Sequence, residues 1–438
     1  MRRALFRSYA ALKARALLSQ LDQLERTQWL SHEAIVSLQR DKLVKMLEHA
    51  GRTVPYYREL YRSAGFDPRA VASVADLRAL PLLDRDVLQQ RYVDFRSSAA
   101  PPDAFERATG GSTGRPLRFL ADKHEMTLRS AHIYRHLRWF GWSLGDRVAY
   151  VWGSDIDSRE HRGLQGAIHD WFAGILWLDA FRLGSDQLDA DLERLARFEP
   201  AVVIGYPSSL HLLARRALEK PARKALRGIE TSAEQLAPDV RNDLVQAFGC
   251  AVLDRYGCRE AGVIAHECTR GSLHINAEAV VMEVVEGEVV VTTLNNRSMP
   301  LIRYRVEDLA ELSEEACPCG RGLPLVRRLR GRLSDIVRSP SGRLIHGEFF
   351  THLFYGAAGV KSFQVAQVSP ERLDIQVVAD GLFDAQARTR IESAIRDHAD
   401  AAFHVVWLDV EHIEPGPSGK MRFILPLPDA TASKTVPR

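Results

Sequence analysis

A chain of 438 residues, 46% hydrophobic and 26% charged, has the make-up of an ordinary globular protein and is long enough for about three lobes. Its 59 basic and 56 acidic side chains leave a net charge of +3, which gives no electrostatic case for a nucleic-acid partner. No apolar run reaches the roughly 18 residues of a transmembrane helix. Five cysteines, an odd count, argue against a disulfide framework and for a reducing, cytoplasmic setting.

The N-terminus, MRRALFRSYAALKARALL, returns Arg and Lys through its apolar positions, so it predicts an amphipathic helix and not a signal peptide. Residues 1–95 read as a mainly helical part of a large domain, interrupted at Val54-Pro55-Tyr56-Tyr57 and Leu80-Pro81. After a small-residue break at Ser97 to Asp103, Phe105 to Ala108 can be extended, and a loop, Thr109 to Pro116 (TGGSTGRP), follows. Asp122 to Trp139 predicts a helix. Val148 to Val151 and Val202 to Gly205 predict buried strands, with helices at about 186–198 and 208–219. Such alternation indicates an α/β layered domain, taken here as 96–330. A β-rich section at about 279–312 has a hairpin around Glu286-Gly287. A small α+β domain is expected over 331–428, with strands at Gln364 to Val368, Leu373 to Val378 and Val405 to Val410 and a helix near 384–399; residues 429–438 read as a loose tail.

Within this frame a few short segments carry chemistry. Gly110, Gly111 and Gly114 let backbone N–H groups turn toward an anion, and Ser112 and Thr113 add hydroxyls, so the loop reads as a phosphate cradle or as a plain turn. It has neither P-loop nor dinucleotide-fold spacing. Tyr256-Gly257-Cys258-Arg259-Glu260 follows the apolar Ala251-Val252-Leu253. Tyr256 offers a flat face to a purine or acyl group and Glu260 a carboxylate for magnesium, although such a pair at a strand end also serves structure. Cys268, His274, Cys317 and Cys319 make a Cys3His set suited to a closed, tetrahedral structural zinc, with His266 as a rival to His274; unrelated reduced thiols are the alternative. Cys250 and Cys258 read as packing residues. Gly205-Tyr206-Pro207-Ser208-Ser209 edges an acyl pocket or opens a helix with a serine cap. Trp139, Phe140, Trp142 and Trp152 shape such a pocket or fill core. No Ser-His-Asp arrangement is evident.

Taken in order, the glycine loop, Tyr256-Gly257-x-x-Glu260, Asp308 after Tyr304-Arg305, Gly331-Arg332-x-x-Asp335 and Pro417-Ser418-Gly419-Lys420 resemble the adenylate-forming enzymes. More narrowly, Val54-Pro55-Tyr56-Tyr57-Arg58, Pro300-Leu301-Ile302-Arg303-Tyr304-Arg305 and Cys317-Pro318-Cys319-Gly320-Arg321 resemble the phenylacetate–coenzyme A ligase family over about residues 40–425. The resemblance implies an α/β, adenylate-forming (ANL-type) fold with a large N-terminal domain and a small mobile C-terminal α+β domain. It implies that Gly111, Ser112, Thr113 and Gly114 close on the phosphates of ATP. Ser232, Ala233 and Glu234 would line the adenine pocket, where Tyr256, followed by Gly257, stacks. Glu260 would hold Mg2+ and Asp308 the ribose. Arg332 would reach the nucleotide, and Lys420 would approach the acyl carboxylate and α-phosphate; apart from the family, Lys420 reads as a solvated lysine in a turn. Zinc is a family feature in this region.

Three departures matter. Arg115 stands where the family carries lysine, and Ser334 where it often carries an acidic hinge residue. Arg338 to Glu348 lacks the family's signature and looks more like the branch found with capsule and polysaccharide genes. The implied activity is ATP-dependent activation of a carboxylic acid, then acyl transfer to coenzyme A by default. An amine acceptor is the leading variant, and a non-catalytic pathway protein is the rival from another class. Neither the acid nor the oligomeric state, a homodimer included, is specified by the sequence.

Overall fold

The computed structural model describes residues 3, 6, 14–108, 117–152, 164–180, 185–219, 226–332, 336–342, 344–346, 349–350, 353–354, 357–414 and 422–427, with side chains of 164–165, 185, 331–332, 336, 344 and 346 excepted. The glycine loop, Ser334, Asp335 and Lys420 lie outside the described residues, as does the side chain of Arg332. The N-terminal helix expected over residues 1–18 falls largely outside them too.

The chain divides into a larger unit, Met1–Val306 with Ala310–Leu329, and a smaller one, Arg330–Arg438 with Glu307–Leu309. The larger unit opens with α1 (Arg15–Thr27), α2 (His32–Thr53), α3 (Pro55–Ala64) and α4 (Arg85–Gln90), the last two separated by 3-10 turns. Local chemistry sets their ends. Ser31 accepts from the Ala34 N–H at the start of α2, Pro55 takes the first position of α3, and Gly65 ends α3 in a left-handed conformation. A hairpin of β1 (Phe105–Ala108) and β2 (Arg118–Ala121) leads into α5 (Lys123–Trp139), where Asp122 accepts from the Glu125 N–H. Strand β3 (Val148–Val151), α6 (Leu164–Ala173), β4 (Ile175–Leu178), α7 (Ser185–Phe198), β5 (Val202–Gly205), α8 (Pro207–Leu218), β6 (Gly228–Ser232), α9 (Pro238–Phe248) and β7 (Ala251–Cys258) then alternate. Next come β8 (Gly262–Glu267), β9 (Leu273–Ile275), β10 (Val280–Val285), β11 (Glu288–Thr293), β12 (Tyr304–Ser313) and β13 (Leu325–Arg332).

These strands form an 11-stranded sheet in the order β10-β11-β12-β13-β9-β8-β7-β6-β5-β3-β4. The run β4-β3-β5-β6-β7 is parallel, and β7 to β8 begins the antiparallel half. Parallel strands are covered on both faces, which is why β5 and β6 are buried along their whole length. Two of the sequence signatures meet in the core beneath α2 and α3. The Tyr57 hydroxyl donates to Pro300 O at 3.1 Å and accepts from Ile302 N at 3.0 Å. Phe140 and Trp142 join Val148, Val202, Ile204 and Leu253 in a core cluster and so act as packing residues.

The smaller unit holds the hairpin of β14 (Ile336–Arg338) and β15 (Leu344–His346). A four-stranded sheet, β18-β17-β16-β19, follows, built from β16 (Val360–Gln367), β17 (Arg372–Ala379), β18 (His404–Asp409) and β19 (Ile424–Leu425). Helix α10 (Ala385–Ala394) runs on into a π-helical turn at Ile395–Ala399, so the expected 384–399 helix is not α-helical to its end. Phe350, Phe354, Phe363, Ile375 and Ile391 belong to the core of this unit.

Candidate active site and metal centre

In an open parallel sheet, ligands bind outside the carboxyl ends of the strands. Here β6 and β7 end side by side, with Ser232 opposite Arg255. The Ser232 hydroxyl donates to Arg255 O at 3.2 Å. Ala233 follows with φ of 73°, a left-handed conformation that costs a non-glycine residue of order 1–3 kcal/mol and marks a held loop. Glu234 is held too: its carboxylate accepts from Ser208 N at 3.0 Å, in the first turn of α8. A carboxylate at that place satisfies a free helix N–H and meets the positive end of the helix dipole. The N-cap of α8 is therefore Tyr206 with an acid from a neighbouring loop, not a serine cap, and Ser209 Oγ turns away to Ala180 O at 3.2 Å. Trp152 packs against Tyr206 with ring centroids 4.3 Å apart.

Tyr256 stands near the end of β7, half-buried against the cluster of Ile264, Val289 and Val291. The β7–β8 hairpin turns at Arg259-Glu260-Ala261 with a register irregularity beside Gly257. A β-carbon on Gly257 would run into Gly262 O, so the strands approach as they do only because this residue is glycine. Glu260 is buried, 6% exposed, and its Oε1 accepts from the Tyr304 hydroxyl at 3.2 Å with Arg85 Nη1 at 3.6 Å. Burial and the Glu260 charge push the Tyr304 phenol well above its usual range, so it remains a donor. Arg129 of α5 reaches the same turn, donating to Arg259 O at 2.8 Å and Glu260 O at 3.0 Å while paired with Glu125. Asp308 lies on β12 directly after Glu307, whose φ of 67° is again left-handed.

Behind the strand ends runs a buried ionic chain. Arg255 lies 2.9 Å from Glu230 Oε1, Glu230 Oε2 lies 2.5 Å from His136 Nδ1, and His136 Nε2 lies 2.9 Å from Glu267 O. Burial raises the Glu230 carboxyl, but Arg255 and His136 outweigh it and hold it below the usual carboxylate range. His266 stacks on His136 at 4.2 Å within this chain and belongs to it, leaving His274 with the cysteines.

The ligand atoms of Cys268, His274, Cys317 and Cys319 all lie within 4.8 Å of one another. Cys268 Sγ and Cys317 Sγ are 3.6 Å apart, and Cys319 Sγ is 3.3 Å from His274 Nε2. Thiolates about 2.3 Å from a tetrahedral zinc sit about 3.8 Å from each other, so the donor set and its size fit that ion. Two matching turns present the sulfurs. Gly271 N donates to Cys268 O at 2.8 Å and Gly320 N to Cys317 O at 3.1 Å, with both glycines at positive φ, 78° and 83°. In each turn the N–H two residues on, Arg270 or Cys319, points at the first sulfur at 3.4 Å. Burial and the nearby Arg321 hold His274 down to about 4, which keeps the imidazole neutral as a ligand must be.

Arg129, Tyr304, Arg85 and the Arg255–Glu230–His136 chain were not singled out by sequence. Only Tyr304 carried a signal, as part of the Pro300 to Arg305 segment. Glu125 and Arg129 are four apart on a helix, the spacing of an ordinary surface pair.

The CapK C-terminal domain family model matches residues 337–426. Protein CapK of Staphylococcus aureus is 23% identical over 410 residues, 89% of each chain. A phenylacetate-coenzyme A ligase of Thermus thermophilus is 26% identical over 329 residues, covering 70% of this chain and 72% of its own. The crystal structure of 2-hydroxyisobutyryl-CoA ligase, in the postadenylation state in complex with R3-HIB-AMP, superposes with a TM-score of 0.74 at 19% identity, covering 93% of each chain.

Proposed function

The chain belongs to the phenylacetate–coenzyme A ligase/CapK family of adenylate-forming enzymes, and from that premise we propose that it couples a carboxylic acid to ATP and hands the acyl group to an acceptor, by default coenzyme A. The fold is the ANL adenylate-forming fold anticipated from the motif order. One observation carries the reading: Ser232-Ala233-Glu234 and Tyr256 to Glu260 converge at the carboxyl ends of adjacent parallel strands, the first held by the Ser208 N–H and the second by the Arg129 side chain.

In this reading Tyr256 stacks on the adenine beside the 232–234 segment, and Asp308 binds the ribose. The backbone of Gly111 to Gly114 takes the phosphates. Glu260, its Oε1 steadied by Tyr304, supplies a carboxylate for Mg2+, which neutralises phosphate charge when bound. A substrate carboxylate oxygen attacks the α-phosphorus, the bond from that phosphorus to the bridging oxygen breaks, and pyrophosphate leaves. Lys420 stabilises the charge that develops between carboxylate and α-phosphate, and Arg332 holds the nucleotide. In the second half-reaction the thiol sulfur, its proton lost, attacks the acyl carbon and AMP departs. The Cys268–His274–Cys317–Cys319 set would hold a structural zinc, its four protein ligands leaving no place for substrate.

One observation sets this chain apart from the coenzyme A ligases, and an amine is the alternative acceptor. The CapK likeness spans 89% of the chain against 70% for the Thermus thermophilus ligase, and the C-terminal 337–426 matches the CapK domain. An amine nitrogen would replace the thiol and yield an amide, a reaction suited to polysaccharide modification. Acid-dependent ATP–pyrophosphate exchange across a carboxylic-acid panel tests the first half-reaction. The active acid, offered coenzyme A or amino sugars, then decides the second. Absence of exchange with every acid, in protein that binds ATP, would count against the reading and favour a non-catalytic pathway protein.

A further inference from the structure

Glu260 sits in a three-residue turn, and a turn aims a side chain only as firmly as its backbone is held. The Arg259 and Glu260 carbonyls both point at one guanidinium. Arg129 Nη1 donates to Arg259 O at 2.8 Å and Nη2 to Glu260 O at 3.0 Å. The third edge of that guanidinium, Nε, is paired with Glu125 one helical turn back. The pair is 14% and 6% exposed, so little solvent stands ready to replace either partner. Helix α5, from which Arg129 projects, is anchored at its start by Asp122, which accepts from Glu125 N at 2.9 Å and Ser298 Oγ at 2.7 Å. The far side of the turn has made room for the guanidinium. Gly262, at φ +79°, has no β-carbon; one built there would lie 2.9 Å from Arg129 Nε and 3.0 Å from its Cζ. The planar fork of arginine is the group that satisfies two adjacent carbonyls and a carboxylate at once; an ammonium is a point charge that cannot.

We propose that Arg129 is a positioning residue for the Glu260 carboxylate: it fixes the Arg259–Glu260 turn and thereby aims Glu260 at the magnesium of bound MgATP. The proposal rests on the reading of Glu260 given above. Partners behind a metal-binding carboxylate change metal affinity by about 10- to 100-fold when removed. The signature is thus a change in the magnesium requirement with little change in the affinity for the carboxylic acid. A residue that merely supports the fold would lower the melting temperature and the maximal rate and leave the magnesium requirement alone.

The test uses the full chain as wild type, Arg129→Lys and Arg129→Met. ATP binding is measured by calorimetry across a magnesium titration, alongside pyrophosphate exchange with the active acid and thermal melting. The expected result is a rise of tenfold or more in the magnesium concentration for half-maximal ATP binding in Arg129→Met. Arg129→Lys should give a smaller rise, and the KM for the acid should change less than twofold. Should Arg129→Met fail to fold, Arg129→Lys carries the test, and the expected rise is then threefold or more. If wild type binds ATP better with magnesium and the folded variant keeps the same magnesium midpoint, the positioning role is wrong while the reading of Glu260 stands. If ATP binding by wild type is indifferent to magnesium, the reading of Glu260 falls and this inference falls with it.

Discussion

Glu278 and Arg135 form an ion pair buried on both sides, 3% and 0% exposed, at 2.8 Å. Three further groups converge there. Thr27 of α1 donates to Glu278 Oε1 at 2.7 Å, Lys42 of α2 to Glu278 O at 2.6 Å, and Arg135 also to Asn276 Oδ1 at 2.7 Å. The Glu278→Gln substitution keeps the shape and an acceptor oxygen and strands the Arg135 cation in the core. Burial alone would raise the Glu278 carboxyl; Arg135, and after it His132 and Thr27, outweigh it and bring the value from 4.5 down to about 2. That gap corresponds to about 3 kcal/mol, and it agrees with the roughly 3–5 kcal/mol lost when one partner of a buried pair is removed. The folded-state value is depressed, so the contribution is full above about pH 4.5 and fades as pH falls toward 2. Urea unfolding followed by tryptophan fluorescence suits the measurement, because six of the seven tryptophans lie in the larger unit. Glu278→Gln is expected to be less stable than wild type by about 3 kcal/mol at pH 7, narrowing to about 2 kcal/mol at pH 3.5. A difference below about 1 kcal/mol at pH 7, or one that does not change with pH, would refute the reasoning.

Cys317→Ser is expected to lose the zinc, which elemental analysis of wild type should find at one atom per chain, and to melt at a lower temperature. Gly257→Ala forces the β7–β8 hairpin apart and is expected to cost about 1–3 kcal/mol, read as a lower melting temperature, together with a raised KM for ATP. Glu234→Ala removes the acceptor from Ser208 N and is expected to cost about 1 kcal/mol in thermal unfolding while weakening ATP binding measured by calorimetry. Lys420→Ala is expected to slow pyrophosphate exchange by about 10²- to 10³-fold while sparing acyl transfer from a supplied acyl-adenylate; unchanged exchange would remove the lysine from adenylation.

The alternating apolar runs and helices of the larger unit were legible because period and turn residues agree there: Val148–Val151 and Val202–Gly205 are strands at the residues read from sequence. The Gly287 hairpin was legible for the same reason. Helix α5 shows where such reading stops. Its extent was clear, but its buried residues include Glu125, His132, Arg135 and His136, groups that a periodicity argument assigns to solvent. The partners of Arg129, Arg135 and His136, namely Glu260 O, Glu278 and Glu230, lie 94 to 143 residues away, and no local pattern announces them. The candidate site divides likewise. Tyr256 and Glu260 sit in a motif, whereas Arg129, which grips their turn, belongs to none. The cysteine set was visible as residue types, but His274 separates from His266 only in the folded chain, where His266 stacks on His136 and His274 reaches Cys319 Sγ.

The two matching cysteine turns also bear on how the chain reaches its native state. Cys268 and Cys317 are 49 residues apart, and between them run β9 to β12, four of the six strands in the antiparallel part of the sheet. A cross-link closing a loop of that size removes about 4 kcal/mol of chain entropy from the unfolded ensemble. A zinc bound there would impose that constraint before slow strand pairing is complete, at the price of tying folding yield to metal supply. Cells short of zinc would then accumulate this protein as aggregate or fragment, not as inactive enzyme, and the larger unit would be the part that fails.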